Sequence, residues 1–208
     1  MTTRNLSRKE REKQRQRQDI IDAGLELFSE KGYHNVAMQE IAEKAEFAVG
    51  TIYNFFPTKA DLYETIVRQK IDLFEQAFEK AIQTATDEID QLRNYIRAKS
   101  ETFRSNISFV RLMVAESRGV SFSIKGGLTR EMRNRYYRFL ERIACIFENG
   151  IRHKRFKPIA SAFQLAAALD STVNTFLLLW VEMPGIHPFP EDPDIILNIF
   201  FHSLLDTT

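Results

Sequence analysis

Apolar residues recur at helical spacing through the first quarter of the chain and divide it into three short segments. Between Arg15 and Lys31 they form one face of a helix, and Gly32 follows as a C-terminal stop. The spacing from Met38 to Ala45 predicts a second, shorter amphipathic helix. A third runs from about Ala48 to Phe56, because Pro57 lacks a backbone donor and disfavours helix in the residue before it.

After Pro57 the pattern predicts one long helix and then several more. Thr58 caps the long helix, and Asp61 adds negative charge to its first turn. Its apolar face continues to Ile82 without a break, so this helix belongs to both halves of the molecule. Further helices are predicted over about 88–104, 106–117, 128–151, 159–182 and 192–206. The loops between them are "SRGVSFSIKGGLT", "RHKRFKP" and "MPGIHPFPEDPD".

The composition supports a helical protein. The 208 residues are 44% hydrophobic and include only six Pro and eight Gly, so helix outweighs strand. A short helix, a turn and a second short helix that pack on a preceding helix form a helix-turn-helix. We expect an all-α fold with an N-terminal three-helix helix-turn-helix DNA-binding domain at 1–57. A larger C-terminal helical domain is expected at 58–208.

Charge is distributed unevenly along the chain. The formal net charge is only +1, but the first twenty residues hold seven Lys and Arg against three Asp and Glu. Such an arm can neutralise phosphates of a nucleic acid, and it can equally be a solvated, disordered tail. The sequence leaves both alternatives open.

Other features exclude whole classes of function. The single Cys145 fits a reducing compartment, which favours a cytoplasmic location. The most apolar run contains Asp170 and Asn174, so we expect no membrane span. The four His are isolated and no glycine-rich phosphate loop occurs, so we expect neither metal, cofactor nor catalytic residues.

Chemistry that suits DNA is concentrated in the third helix and just after it. Gly50 and Thr51 are small at its front, which allows a close approach to a phosphate or base edge. Tyr53 can donate to a phosphate, and Asn54 can offer paired hydrogen bonds to adenine. Lys59, at the start of the fourth helix, is placed to neutralise a phosphate.

The stretch "DIIDAGLELFSEKGYHNVAMQEIAEKAEFAVGTIYNFFPTKADLYETI" resembles the N-terminal domain of the TetR family of bacterial transcriptional regulators. The resemblance rests on the "EKGY" that ends helix one, the "IAEKA" of helix two, "GTIYNFF" and the "P-K-DL" that opens helix four. It implies that Tyr53 and Lys59 hold the DNA backbone and that Arg17 is a basic residue at the start of helix one. The recognition-helix positions that it implies are Ala48, Val49, Gly50, Thr51 and Asn54.

Three positions depart from the family pattern. Ala37 stands where Thr or Ser commonly caps helix two, Glu46 replaces a Gly often used in the turn, and Ala48 replaces a common Ser. A lost cap costs about 1 kcal/mol, and Glu46 adds negative charge beside DNA. These departures raise the alternative that the N-terminal helix-turn-helix domain, called the head below, no longer recognises DNA.

The C-terminal helices predict a homodimer. Helix 192–206 has almost no polar face, and the end of the preceding helix has the same problem, so a second copy of the chain would cover both. The alternative is a monomer that buries one helix centrally. The predicted interface residues are Phe176, Trp180, Ile196, Ile199 and Phe200.

The middle helices are rich in aromatic residues, and the chain holds seventeen Phe. An aromatic stripe is usually core, but poor packing of large rings can leave an apolar cavity between helices. The resemblance implies such a cavity for an apolar or amphipathic small-molecule effector. The residues predicted to line it are Phe74, Phe78, Phe103, Phe109, Met113, Tyr136, Phe139 and Phe176.

These patterns and the resemblance together predict a ligand-responsive, DNA-binding transcriptional repressor. A small-molecule effector would release a homodimer from double-stranded DNA at a palindromic operator. The alternative is a ligand-binding helical protein whose head has lost specific DNA recognition. A helical enzyme is a third hypothesis, for which no residue stands out.

Overall fold

Helices alone make up the regular structure of the described residues. The computed structural model of the protein describes residues 7–117 and 130–205, except the side chains of 115–117 and 202–205. Within these ranges there is no strand, and the all-α expectation is confirmed. The helices are α1 Arg8–Lys31, α2 Met38–Lys44, α3 Val49–Phe55, α4 Lys59–Gln83, α5 Glu88–Ser105, α6 Ile107–Ser117, α7 Arg130–Arg152, α8 Ala162–Glu182 and α9 Pro193–Leu205, with a 3₁₀ turn at Tyr33–Asn35.

The first helix starts well before the predicted Arg15, because polar groups cap it. Ser7 Oγ accepts a hydrogen bond from the Glu10 amide at 3.2 Å, and the Glu10 carboxylate accepts one from the Ser7 amide at 2.8 Å. This reciprocal pair satisfies amides that a helix N-terminus leaves open. The prediction of the start at Arg15 was wrong, since it followed an apolar spacing that begins only at Ile20. The basic arm is therefore helical from Arg8 onward.

The first three helices pack around a small apolar core. Its fully buried members are Ile20, Phe28, Ile41 and Ile52. The turn between α2 and α3 is closed by the Phe47 amide, which donates to the Ala42 carbonyl at 2.9 Å. The predicted helix, turn and second helix are thus present between Met38 and Phe55.

The start of α4 agrees with the prediction made from Thr58 and Asp61. The Thr58 amide donates to Asp61 Oδ2 at 3.0 Å, and the Asp61 amide donates to Thr58 Oγ1 at 3.1 Å. The helix before it ends at Phe55, as Pro57 requires. Phe56 between them is buried, so this corner is fixed by packing as well as by caps.

The chain divides into two compact units. The first contains the residues up to Lys70 together with the part of α6 from Arg111 onward. The second contains Ile71–Val110 and the residues from α7 to α9. The division lies inside α4 and inside α6, whereas the predicted domain boundary between 57 and 58 lies at the start of α4.

The second unit has its own core, built by α5, α7, α8 and α9. Its fully buried apolar side chains include Leu92, Ile96, Ile143, Phe147, Leu169, Val173 and Ile196. Ile196 was predicted to lie in a dimer interface, and that prediction was wrong. Its side chain is 0% exposed within the single chain, so it is not available to a partner.

The remaining helices lie close to their predicted ranges. The α8 helix starts at Ala162 rather than near 159, because Ser161 Oγ caps it by accepting from the Gln164 amide at 3.3 Å. The predicted loop after Ser117 lies outside the described residues up to α7. The α8 helix is long and apolar enough to cross a membrane, but a core helix of a soluble protein has the same length and composition.

Candidate functional site

The α3 helix presents a coherent polar and small-residue surface. Ala48, Gly50, Tyr53 and Asn54 are exposed, while Ile52 on the opposite side is fully buried. Val49 and Thr51 are half-buried at the edges of this surface. The predicted recognition residues therefore all keep some exposed surface, and the buried Ile52 anchors the helix to the rest of the head.

The front of α3 leaves its backbone uncovered. A Cβ added to Gly50 would meet no heavy atom within 4 Å. Ala48 occupies the N-cap and its side chain makes no capping hydrogen bond. Packing within the described residues therefore does not require a glycine at position 50.

The two other departures from the family pattern have structural consequences. Glu46 adopts φ +60°, the left-handed conformation that costs a non-glycine residue about 1–2 kcal/mol. Ala37 offers no side-chain cap to α2, but the Glu40 carboxylate still accepts from the Ala37 amide at 2.9 Å. Half of a capping box therefore remains at α2, and the turn carries strain at Glu46.

Arg17 lies against the corner that ends α3. Its guanidinium carbon is 4.8 Å from the centroid of the Phe56 ring, and its Nη2 is 3.5 Å from Thr65 Oγ1. The side chain is half-buried, so part of the cation still faces solvent. The predicted contact of Arg17 with DNA stays a prediction.

Lys59 differs from the prediction in the direction of its side chain. Its Nζ donates to the carbonyls of Tyr33 at 2.9 Å, Val36 at 2.8 Å and His34 at 3.4 Å. The same nitrogen is 4.6 Å from the centroid of the Tyr33 ring. The structure therefore aims the ammonium at backbone carbonyls of the head, and its contact with a phosphate stays a prediction.

The helical arm adds a basic groove beside α3. The groove is open and lies between the first turns of α1 and the Phe55 ring. Its lining side chains from α1 are Arg8, Lys9, Glu12, Lys13 and Gln16. Sequence reasoning named this arm but could not place it, because only the helical start at Arg8 fixes which residues face Phe55.

The predicted effector residues form a chain of rings in the second unit. The Phe74 centroid is 5.2 Å from Phe103 and 5.6 Å from Phe109, and the Phe78 centroid is 5.4 Å from Phe139. Phe176 is half-buried and packs against the same core. Met113 is buried as well, but it belongs to the first unit.

A buried polar network lies next to these rings, and the sequence did not reveal it. The Asp170 carboxylate accepts hydrogen bonds from Lys99, from the hydroxyls of Tyr95 and Tyr136, and from Asn174 Nδ2 at 2.9 Å. Lys99 Nζ also donates to Tyr95 OH at 3.0 Å. The only signal in the sequence was the interruption of an apolar run by Asp170 and Asn174.

Burial and charge act in opposite directions in this network, and burial lowers the pKa of the Lys99 ammonium although the Asp170 charge opposes that shift. Burial raises the pKa of the Asp170 carboxyl, but the Lys99 ammonium and the hydrogen-bond donors outweigh it and leave that pKa below its usual range. Burial and the Asp170 charge raise the pKa of the Tyr136 hydroxyl, so it stays a donor.

Among the described residues, no group of three His, Cys, Asp or Glu is placed to hold a metal ion.

The predicted dimer residues other than Ile196 keep some exposed surface. Ile199 on α9 is 54% exposed, and Phe200 beside it is half-buried. Phe176 and Trp180 on α8 are also half-buried. These four residues therefore remain available for contact with a second copy.

Residues 20–66 match the profile of the family described as "Bacterial regulatory proteins, tetR family". The transcriptional regulator HbdR of Aromatoleum sp. (strain CIB) is 33% identical over 76 residues, which are 36% of this chain and 33% of HbdR. The regulator RutR of Escherichia coli K12 is 31% identical over 97 residues, which are 47% of this chain and 45% of RutR. The chain thus spans less than half the length of these relatives.

Solved structures extend the likeness to nearly the whole fold. SmeT in complex with triclosan superposes with a TM-score of 0.70 over 92% of each chain, at 19% sequence identity. SmeT is described as the repressor of the Stenotrophomonas maltophilia multidrug efflux pump SmeDEF. At this identity the likeness shows the fold alone, and it includes the C-terminal helices that the family profile does not reach.

Proposed function

Because the chain belongs to the TetR family of bacterial regulatory proteins by its residues 20–66, we propose that it is a ligand-responsive transcriptional repressor. The family consists of transcription regulators rather than enzymes. In this proposal a homodimer binds a palindromic operator in the cytoplasm, and a small-molecule effector releases it. The observation that carries the proposal is the exposed face of α3, held in a helix-turn-helix by the buried Ile52.

The α3 surface has the size and chemistry to enter a major groove. Asn54 is exposed and can pair with an adenine edge, while Thr51 can touch a thymine methyl. Tyr53 is 44% exposed and can donate its hydroxyl to a phosphate. The bare front at Gly50 lets the helix come close to the bases.

Cations near α3 would supply most of the affinity for the DNA backbone. Arg17 is held in place by Phe56, and Arg8, Lys9 and Lys13 line the groove beside Phe55. Each phosphate that a cation neutralises releases counterions, so binding should weaken steeply with added salt. The basic arm can thereby offset the negative charge of Glu46.

A dimer would let two heads read the two halves of a palindrome. Half-sites in successive major grooves lie about 34–36 Å apart, and a two-fold symmetric dimer presents two equal surfaces to them. Ile199 and its half-buried neighbours on α8 and α9 are the apolar residues that a second copy would cover. Association through these helices supports the homodimer part of the proposal.

The second unit would bind the effector. The aromatic rings from Phe74 to Phe139 suit an apolar or amphipathic molecule, and Tyr136 and Asn174 place polar groups beside them. SmeT, which has a similar fold, was solved in complex with triclosan. An effector acts on DNA binding only if it binds the DNA-competent and the released conformations with different affinity.

Selection from random duplex DNA tests the proposal directly. The purified full chain is incubated with a random library at low salt, and bound duplexes are sequenced over several rounds. Enrichment of a palindrome with two equal half-sites is expected. Binding to that palindrome is then measured by fluorescence anisotropy with and without apolar aromatic compounds, which should lower the affinity.

A matched variant separates recognition from general attraction to DNA. Asn54→Ala removes the predicted adenine contact at an exposed position, so the fold should be unaffected. The variant should lose about 1–3 kcal/mol of discrimination between the palindrome and a scrambled duplex. If the wild-type chain enriches no palindrome, the alternative of a helical ligand-binding protein replaces the repressor.

A further inference from the structure

Lys59 is the first residue of α4, and its ammonium contacts the connection between α1 and α2. An ammonium has three N–H donors and no acceptor. The carbonyls of Tyr33, His34 and Val36 lie within 3.4 Å of Nζ and are enough to take all three. A phosphate that accepts a hydrogen bond from this nitrogen would therefore compete with a carbonyl of the head.

The carbonyls converge because of the backbone conformation that precedes them. Gly32 has φ +80°, which turns the chain out of α1 and into the 3₁₀ turn Tyr33–Asn35. Tyr33 and His34 belong to this turn and Val36 is the extended residue that follows it, so their carbonyls lie at a helix end, where helical donors are lacking. A cation placed at this end neutralises their partial negative charge.

Aromatic packing fixes the same point from the other side. The Tyr33 centroid is 4.8 Å from Tyr63 on α4 and 5.5 Å from Phe28 on α1. Lys59 Nζ lies over the Tyr33 ring at 4.6 Å, so the ring also contacts the cation. One side chain thus joins α1, the turn before α2, and α4.

We propose that Lys59 is a positioning residue for DNA binding. It fixes the connection from which α2 and then α3 emerge, and so sets the angle at which the α3 surface meets DNA, without itself neutralising a phosphate. This inference rests on the proposed DNA-binding function and reverses the role that the family resemblance assigns to Lys59.

Salt dependence and amide exchange together test the inference. Lys59→Met keeps the apolar stem and removes the charge and the donors. Affinity for the selected palindrome should fall about tenfold or more, because charge-assisted hydrogen bonds are lost. The slope of log affinity against log salt should stay as in the wild type, and amides at 33–37 should exchange faster.

A phosphate contact would instead lower the slope by about one per head and leave exchange unchanged, which overturns the inference.

Two further variants keep the test decisive. Lys59→Gln keeps two N–H donors and removes the charge, so its operator affinity should lie between those of the wild type and Lys59→Met. It takes the place of Lys59→Met if that variant does not fold. Lys59→Arg keeps charge and donors and should restore most of the affinity. A double-mutant cycle with Tyr33→Leu should show that the two losses are not additive. Additive losses would mean that ring and cation act separately, against the inference.

The exchange measurement also separates this inference from the proposed function. It is made on the free protein and needs no operator. Should the wild type bind no DNA while Lys59→Met still speeds exchange at 33–37, the repressor proposal fails and the contact with the three carbonyls stands. If the wild type binds its palindrome but Lys59→Met leaves amide exchange at 33–37 unchanged, the repressor proposal stands and Lys59 is not a positioning residue.

Discussion

The Arg17 guanidinium carbon lies 4.8 Å from the centroid of the Phe56 ring, and this contact joins α1 to the corner where α3 ends. The cation is half-buried and also reaches Thr65 Oγ1 at 3.5 Å. A side chain that is already held loses less conformational entropy when it binds a phosphate. Arg17 should therefore contribute to DNA affinity more than the exposed cations of the arm.

Arg17→Gln should lower operator affinity and reduce the salt slope by about one per head, because it removes one phosphate contact. The loss of the contact with the Phe56 ring should cost about 0.5–1 kcal/mol of unfolding free energy. Anisotropy titrations at several salt concentrations and urea unfolding give the two quantities. Arg133→Gln, an equal charge change at an exposed position of α7, is the control. An unchanged slope in Arg17→Gln would remove Arg17 from the DNA surface.

Gly50→Ala should separate folding from DNA binding at the front of α3. A Cβ there meets nothing within 4 Å, and Ala is a better helix former, so unfolding free energy should rise by up to about 1 kcal/mol. Operator affinity should fall, because the methyl group occupies the surface that approaches DNA. Thermal unfolding and operator titration measure the two effects.

Gly150→Ala is the matched control for Gly50→Ala. Its Cβ would lie 2.2 Å from a Phe156 ring carbon, so it should cost about 1–3 kcal/mol of stability through overpacking. Contacts with DNA should not change in the folded fraction. If Gly50→Ala instead lost stability and its operator affinity fell only in proportion to its folded fraction, Gly50 would act through folding alone.

Glu46→Gly should increase both stability and DNA affinity. Glycine adopts the φ of +60° without the penalty of about 1–2 kcal/mol that Glu46 bears. Removal of a negative charge beside α3 should strengthen operator binding, most clearly at low salt. Glu46→Gln removes the charge and keeps the strain, so it should raise affinity without raising stability. Equal melting temperatures for Glu46→Gly and wild type would argue against strain at this turn.

A structural feature could be predicted from the sequence when the interactions that produce it lie within a few residues of one another. The corner at Pro57 and the cap from Thr58 to Asp61 act within a few residues, and both were predictable. The start of α1 is equally local, but it depends on the polar pair Ser7 and Glu10 and not on apolar spacing, so the pattern of hydrophobic residues missed it.

Contacts between residues that are far apart in the sequence could not be predicted. Lys99 and Asp170 are separated by 71 positions, and nothing in their neighbours shows that α5 and α8 meet there. The three carbonyls around Lys59 depend on backbone direction, which residue type does not record. For α9, apolar on all sides, the sequence could not tell that Ile196 faces the protomer core while Ile199 faces out.

Asp170→Asn should destabilise the protein strongly at neutral pH, by about 3–5 kcal/mol, because it leaves the buried Lys99 ammonium without its counter-ion. The pKa of the Asp170 carboxyl is lowered in the folded protein, so the stability it adds is present above its unfolded pKa of about 3.9 and is lost as pH falls further. The gap between variant and wild type should thus be full above about pH 4 and shrink below it. Urea unfolding at a series of pH values measures the gap.

Asn174→Ala is the control for the Asp170 variant. It removes a neutral donor to the same carboxylate, so it should cost only about 1 kcal/mol and leave the ion pair intact. Its effect should change little with pH in the neutral range. A gap for Asp170→Asn that stayed constant down to pH 2 would show that the charge of Asp170 does not carry the effect.

Ile199→Glu should weaken the proposed homodimer. Ile199 is 54% exposed on α9, and a glutamate there would bring a charge into an apolar interface, once from each protomer under two-fold symmetry. Size-exclusion chromatography with light scattering should show a shift toward monomer, and affinity for the full palindrome should fall more than affinity for a half-site. Ile186→Glu changes a residue that is 69% exposed in the loop before α9 and should leave the dimer intact. Should both variants remain dimers with unchanged operator affinity, the two-fold contact must lie away from Ile199, and the roles predicted for Phe176, Trp180 and Phe200 would fall with it.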